Sequence, residues 1–145
     1  MEKERERAEK MGYESPICPD KPATDKSYND ALRFSFEHRD IISIFNGTHN
    51  EESSLLLAEL MVNEGLDKND NRFWFSQLYG MSDNISFNLA KAGFNVAKYL
   101  PYGPIKHVLP YLFRRAEENT SVKGQTGREL EMIKQEIKRR GKSKK

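Results

Sequence analysis

Three short apolar runs in this chain are each followed, after a brief turn, by a stretch with helical periodicity. This alternation constrains the fold more than any other feature. The runs are Ile41–Phe45, Arg72–Phe75 and Phe94–Tyr99. Ile41–Phe45 is apolar apart from Ser43, the pattern of a strand buried in a parallel sheet. Strands alternating with helices imply parallel pairing with covering helices. Ahead of the first run, Met1 to Lys10 alternates Glu with Lys and Arg and reads as the outer part of a helix. Tyr13 to Thr24 reads as a loop with three prolines, and Thr24 or Asp25 as the cap of a helix through Tyr28, Ala31, Leu32 and Phe36 to about His38.

Gly47 ends the first strand, and Asn50 caps a helix opened by Glu51 and Glu52, whose carboxylates suit its positive end. That helix carries Leu55, Leu56, Ala58, Leu60 and Met61 and stops at Gly65. Asp83 to Ala92 forms the next helix, closed by Gly93. Pro104 opens another in the favoured first-turn position, and Pro110 inside it predicts a kink or a late start to its regular part. After the glycine-bearing Lys123–Gly127, a last helix is expected from about Arg128 to Arg139, apolar at Leu130, Ile133 and Ile137.

The chemistry concentrates in Tyr99-Leu-Pro-Tyr-Gly-Pro104 and Leu109-Pro-Tyr-Leu-Phe-Arg-Arg-Ala-Glu-Glu-Asn119. On a helix, Tyr111, Arg114, Arg115 and Glu118 fall at i, i+3, i+4 and i+7 and share one face. Val108, Leu109, Leu112, Phe113 and Ala116 fall on the opposite face, which is expected to pack. A tyrosine, two permanent cations and a carboxylate can grip a small anion, because the planar guanidinium meets a carboxylate bidentately. From spacing alone, Arg114 and Glu118 read first as an ordinary exposed ion pair of about 0.3–0.5 kcal/mol. Thr48, His49, Gln77 and Tyr99 all follow strand runs, at the end where parallel sheets build their sites. Trp74 and its aromatic neighbours read as core, and His38 and His107 as exposed helix residues with no role.

At 145 residues the chain is one domain's worth. Its net charge of +2 gives no case for nucleic acid. The basic run Lys138-Arg-Arg-Gly-Lys-Ser-Lys-Lys145 reads as a solvated tail, with contact to an anionic membrane surface as the alternative. One cysteine, Cys18, excludes an internal disulfide, and the three histidines are scattered, which argues against zinc. Neither a phosphate-binding glycine loop nor a bilayer-length apolar run is visible, and the charged N-terminus lacks the apolar core of a signal peptide.

The tyrosine–arginine–arginine–glutamate run, with Tyr-x-Pro-Tyr-Gly-Pro ahead of it, resembles the C-terminal end of flavin-dependent proline dehydrogenase. Thr48-His49-Asn50 and Gln77-Leu-Tyr-Gly-Met81 resemble two strand ends of the same family, and the likeness extends from about Glu2 to Arg140. It implies an α/β chain forming the last three strands of an eight-stranded (β/α)8 barrel. Residues 1–122 would be a partial barrel domain, and 123–145 a C-terminal helix and basic tail. The earlier strands are expected to lie outside this sequence, with the lysine and aspartate that the family uses near substrate and flavin. They would belong to a longer protein or a separate chain, and the sheet here would keep an open edge and a wet core face.

The resemblance further implies FAD as cofactor, oxidation of L-proline to 1-pyrroline-5-carboxylate, and a quinone as electron acceptor. By the same likeness, Arg114 and Arg115 clamp the proline carboxylate, and Tyr99 and Tyr111 wall its pocket. Thr48, His49, Asn50 and Glu118 contact FAD. The implied location is cytoplasmic or peripheral to the inner membrane. The alternative is a catalytically inactive truncated remnant or an interaction module.

Overall fold

The computed structural model describes residues 2–121 and 125–142, with the side chains of 2, 116–129 and 142 outside that description. Six helices and three strands alternate in the expected order among these residues: α1 (Glu2–Met11), α2 (Lys21–Glu37), β1 (Ile44–Gly47), α3 (Glu51–Asn63), β2 (Phe73–Leu78), α4 (Asp83–Lys91), β3 (Val96–Tyr99), α5 (Ile105–Ser121) and α6 (Gln125–Lys142). The strands form one sheet in the order β1-β2-β3, both pairs parallel. The α/β class is as the sequence implies.

The boundaries differ from expectation for local reasons. The second helix starts at Lys21, because Asp20 rather than Thr24 or Asp25 supplies the cap, accepting from the Ala23 amide at 2.8 Å. Pro22 then falls in the first turn, where a missing N–H costs nothing. The first strand begins at Ile44, not Ile41: the amides of Ile41 and Ile42 both donate to the His38 carbonyl, so these residues complete a turn after α2. The second strand runs on through Gln77 to Leu78, and the third begins at Val96. Pro104 sits just ahead of α5, where its carbonyl accepts from His107 and Val108. Helix α5 then continues through Pro110. Helix α6 starts at Gln125, ahead of the expected Arg128, and the point between residues 122 and 123 lies outside the described residues.

One face of the sheet builds the core. Phe73 and Phe75 of β2 are fully buried beside Leu57 and Met61 of α3, with Leu32 and Phe36 of α2, Ile44 and Phe94 completing the cluster. Phe36 meets Phe73 at 5.6 Å between ring centroids, and Phe75 meets Phe94 edge-on at 5.4 Å. The apolar residues expected along α3 include Leu55 but not Leu57. In fact Leu55 is 56% exposed, and Leu57 takes the inward position two residues on. Burying several such side chains, at about 1.5–3 kcal/mol each, is the main force holding α2 and α3 to the sheet. Polar ties set the register: Tyr28 of α2 donates to the buried Asn46 at 2.7 Å, and the burial raises the Tyr28 hydroxyl's pKa. Arg72 clamps Asp70 at 2.6 Å and also donates to the Arg39 carbonyl at 3.1 Å.

The opposite face is not covered as a two-sided buried sheet would be. Phe45 and its register partner Trp74 are 63% and 36% exposed. The expectations that Ile41–Phe45 is buried on both sides and that Trp74 is core are therefore corrected. Strand alternation sends alternate residues to a face that α2, α3 and α4 do not reach. The apolar face of α5 does not pack as expected either, since Leu109, Leu112 and Phe113 are all exposed. Leu130, Ile133 and Ile137 of α6 are also more than half exposed.

Candidate functional site

The site is built at the C-terminal ends of the three strands, where the chain leaves the sheet. At the end of β1, the Asn50 amide donates to the Thr48 hydroxyl at 3.0 Å. The Asn50 side-chain oxygen then accepts from the Glu52 amide at 2.9 Å, the cap that starts α3. These two bonds turn the backbone sharply and leave His49 between the strand and the helix N-terminus. At the end of β2, Gln77 is 2% exposed; its amide donates to the Thr48 carbonyl at 3.3 Å, and its oxygen accepts from Ser86 at 2.7 Å. At the end of β3, Tyr99 projects toward α5, where its ring meets that of Tyr111 at 6.0 Å and 75°. The Arg115 guanidinium lies 5.5 Å from the centre of the Tyr111 ring, a cation–π geometry.

These groups line a single cleft of about 320 Å³ over the otherwise uncovered face of the sheet. Thr48, His49, Gln77, Tyr99, Tyr111 and Arg115 all contribute to its wall, with Phe45 as apolar floor. A second recess of about 480 Å³ adjoins it, sharing His49 and lined by Asn50, Glu51 and Glu52 at the start of α3. Arg114 is exposed and is not among the residues lining the cleft. Asn50 lines the second recess rather than the first. Glu118 belongs to α5, but its side chain lies outside the described residues.

The chemistry of the cleft is that of an anion and hydrogen-bond receptor with an aromatic wall: one guanidinium, one imidazole, the hydroxyls of Thr48 and Ser76 and one amide beside two phenol rings. Among the described residues no cluster of His, Cys, Asp or Glu could hold a metal ion, and no helix is long and apolar enough to cross a membrane. Two serines that the sequence reading did not single out, Ser82 and Ser86, stand directly behind the cleft. Ser82 precedes a helix and could have been picked out as its cap. Its contact with His49, 33 residues away, has no signature in the sequence.

A parallel α/β sheet with its polar groups gathered at the C-terminal strand ends defines the class of the protein: an α/β fold whose strand-end loops build the candidate site. Comparison with known families narrows this. The family described as proline dehydrogenase matches residues 1–128, and the chain belongs to that family. It is 43% identical to proline dehydrogenase 1, mitochondrial, of Caenorhabditis elegans, over 97% of this chain and 24% of that protein. It is 40% identical to a hydroxyproline dehydrogenase of Xenopus laevis, over 97% of this chain and 31% of that protein. Among solved structures, it superimposes on proline utilization A from Bdellovibrio bacteriovorus, a structure inactivated by N-propargylglycine. The TM-score there is 0.74 at 25% identity, covering 84% of this chain and 12% of that one. The chain thus spans 24% and 31% of the length of these two curated relatives.

Proposed function

We propose that this chain supplies the substrate-carboxylate grip and part of the flavin contact of an FAD-dependent proline dehydrogenase. The reaction oxidises L-proline to 1-pyrroline-5-carboxylate, with the electrons passed on to a quinone. The observation that carries this reading is the meeting of Tyr99, Tyr111 and Arg115 with Thr48, His49 and Gln77 in one cleft. These residues come from three strand ends and a helix, and a surface ion pair would need no such convergence.

The donor set fits a flavin dinucleotide. Such a cofactor is long and mixed in character, and two recesses joined at His49 offer it an extended bed. His49, the Thr48 hydroxyl and the Asn50 side-chain amide can donate to it, and the start of α3 favours an anionic group. Glu51 and Glu52 suit sugar or ribityl hydroxyls. When bound, FAD would supply the acceptor for the hydride leaving the substrate carbon next to nitrogen. Arg115 holds the carboxylate of L-proline, Arg114 joins it from the adjacent position in α5, and the two tyrosine rings pack against the apolar face of the pyrrolidine. Glu118 completes the set by pairing with an arginine or a flavin hydroxyl.

The test is a visible absorption spectrum of the purified chain incubated with FAD, recorded before and after anaerobic L-proline. Bound flavin is the expected result, and its bleaching by L-proline would mean that these residues complete a working site. Bound flavin that resists L-proline would overturn the substrate assignment. A chain that takes up no flavin would support a second reading, a non-catalytic remnant or interaction module. That reading draws on the exposed Phe45 and Trp74 face.

A further inference from the structure

Ser82 combines two unusual features. It is the one residue other than glycine with positive φ among those described, at φ 50° and ψ 43°. This left-handed conformation disfavours any side chain and tends to occur where function holds the backbone in place. It also occupies the N-cap of α4, where a serine normally accepts a hydrogen bond from its own helix, yet it makes no such cap bond. Its hydroxyl oxygen instead lies 2.9 Å from Nδ1 of His49.

The surroundings make this contact rigid. Ser82 and Ser86 are both buried. The Ser86 hydroxyl donates to Gln77 at 2.7 Å and lies 3.3 Å from the Ser82 carbonyl, which also accepts from the Ser86 amide at 3.2 Å. Gln77 in turn donates to the Thr48 carbonyl. The polar groups therefore form a nearly closed circuit, from Thr48 through Gln77, Ser86 and Ser82 back to His49, tying the start of α4 to the ends of β1 and β2. Which nitrogen of a neutral imidazole carries the proton is set by the bond the other one makes.

We propose that Ser82 is a positioning residue for His49, its hydroxyl donating to Nδ1 so that the ring is held in one rotation with its proton on Nε2. Ser86 braces Ser82 from behind. The consequence for cofactor binding rests on the reading of His49 as a flavin contact; the positioning itself does not.

The experiment is ¹⁵N NMR of the histidine rings in the full chain, with His49 identified by its loss in His49→Gln. The expected spectrum has an unprotonated Nδ1 and a protonated Nε2. Ser82→Gly is the informative variant, because glycine accepts positive φ without strain and takes away the hydroxymethyl group that contacts His49. It should leave the His38 and His107 rings unchanged and turn His49 into a mixture of tautomers. FAD affinity, read by flavin fluorescence, should weaken roughly 3- to 10-fold, the worth of one hydrogen bond. A proton on Nδ1 in the unaltered chain, or a His49 spectrum unmoved by Ser82→Gly, would overturn the proposal. Should Ser82→Gly fail to fold, the tautomer of the unaltered chain and the effect of Ser86→Ala on it decide the matter. A tautomer switch in a chain that takes up no flavin would leave the positioning role standing and remove the flavin reading alone.

Discussion

Tyr99, the last residue of β3, and Tyr111, two turns into α5, meet edge to face at 6.0 Å, and Arg115 lies over the second ring. This stack fixes how α5 returns across the strand ends. Edge-to-face pairs contribute about 0.5–1.5 kcal/mol beyond their buried area. Because Tyr99 is 54% exposed, a double-mutant cycle of Tyr99→Ala and Tyr111→Ala should give a coupling near the low end of that range. Urea unfolding of the four proteins measures it, and additive losses would show that the rings do not orient the helix.

In a flavin-loaded form, Arg115→Met should weaken L-proline binding by roughly 10- to 100-fold, the range for a charge-assisted hydrogen bond, while flavin binding stays nearly constant. Arg114→Met should act in the same direction but less, since Arg115 lines the cleft and Arg114 does not. Separate titrations with FAD and with L-proline check both. Equal loss of the two ligands would contradict the carboxylate role.

Leu57→Ala or Met61→Ala should destabilise the fold by about 2–5 kcal/mol, because both side chains are fully enclosed and their removal leaves a cavity. Phe45→Ser, on the uncovered face, should change stability by no more than about 0.5 kcal/mol. Denaturant midpoints and hydrophobic-dye fluorescence test the contrast, with Phe45→Ser lowering the dye signal.

Acid should loosen the start of β2. Arg72, through its side chain and its backbone amide, holds the Asp70 carboxyl below its ordinary value of 3.8. A carboxylate with a lowered folded-state pKa stabilises the fold above its unfolded pKa, and that stability is lost as pH falls through the folded value. Stability should therefore decline from about pH 4 downward, and Asp70→Asn should flatten that part of the curve. Thermal melts from pH 7 to pH 2 measure it; an unchanged slope in Asp70→Asn would place the acid sensitivity elsewhere.

Much of this architecture was legible in the sequence, for identifiable reasons. The alternation of apolar runs and capped helices fixes parallel α/β order because each signal is local: Asn50 caps, Gly65 stops and Gly93 closes. Strand starts were misplaced where a helix end competes. Ile41 is as apolar as any strand residue, but its amide is captured by His38. The two faces of the sheet could not be separated, because Phe45 and Ile44 are alike in composition and only the placement of α2 and α3 buries one of them. At the site, Tyr111 and Arg115 are visible by helical spacing, and Thr48 and His49 by their place after a strand. The Ser82–His49 contact joins segments 33 residues apart and is a property of the tertiary fold alone.

The face carrying Phe45 and Trp74 bears on how the chain's stability is to be measured. Apolar groups left at such a surface gain free energy from whatever covers them, be it another polypeptide, a detergent or a second copy. A melting temperature for this chain is therefore a quantity with a concentration attached, and comparisons between variants hold only at matched protein and cosolute levels.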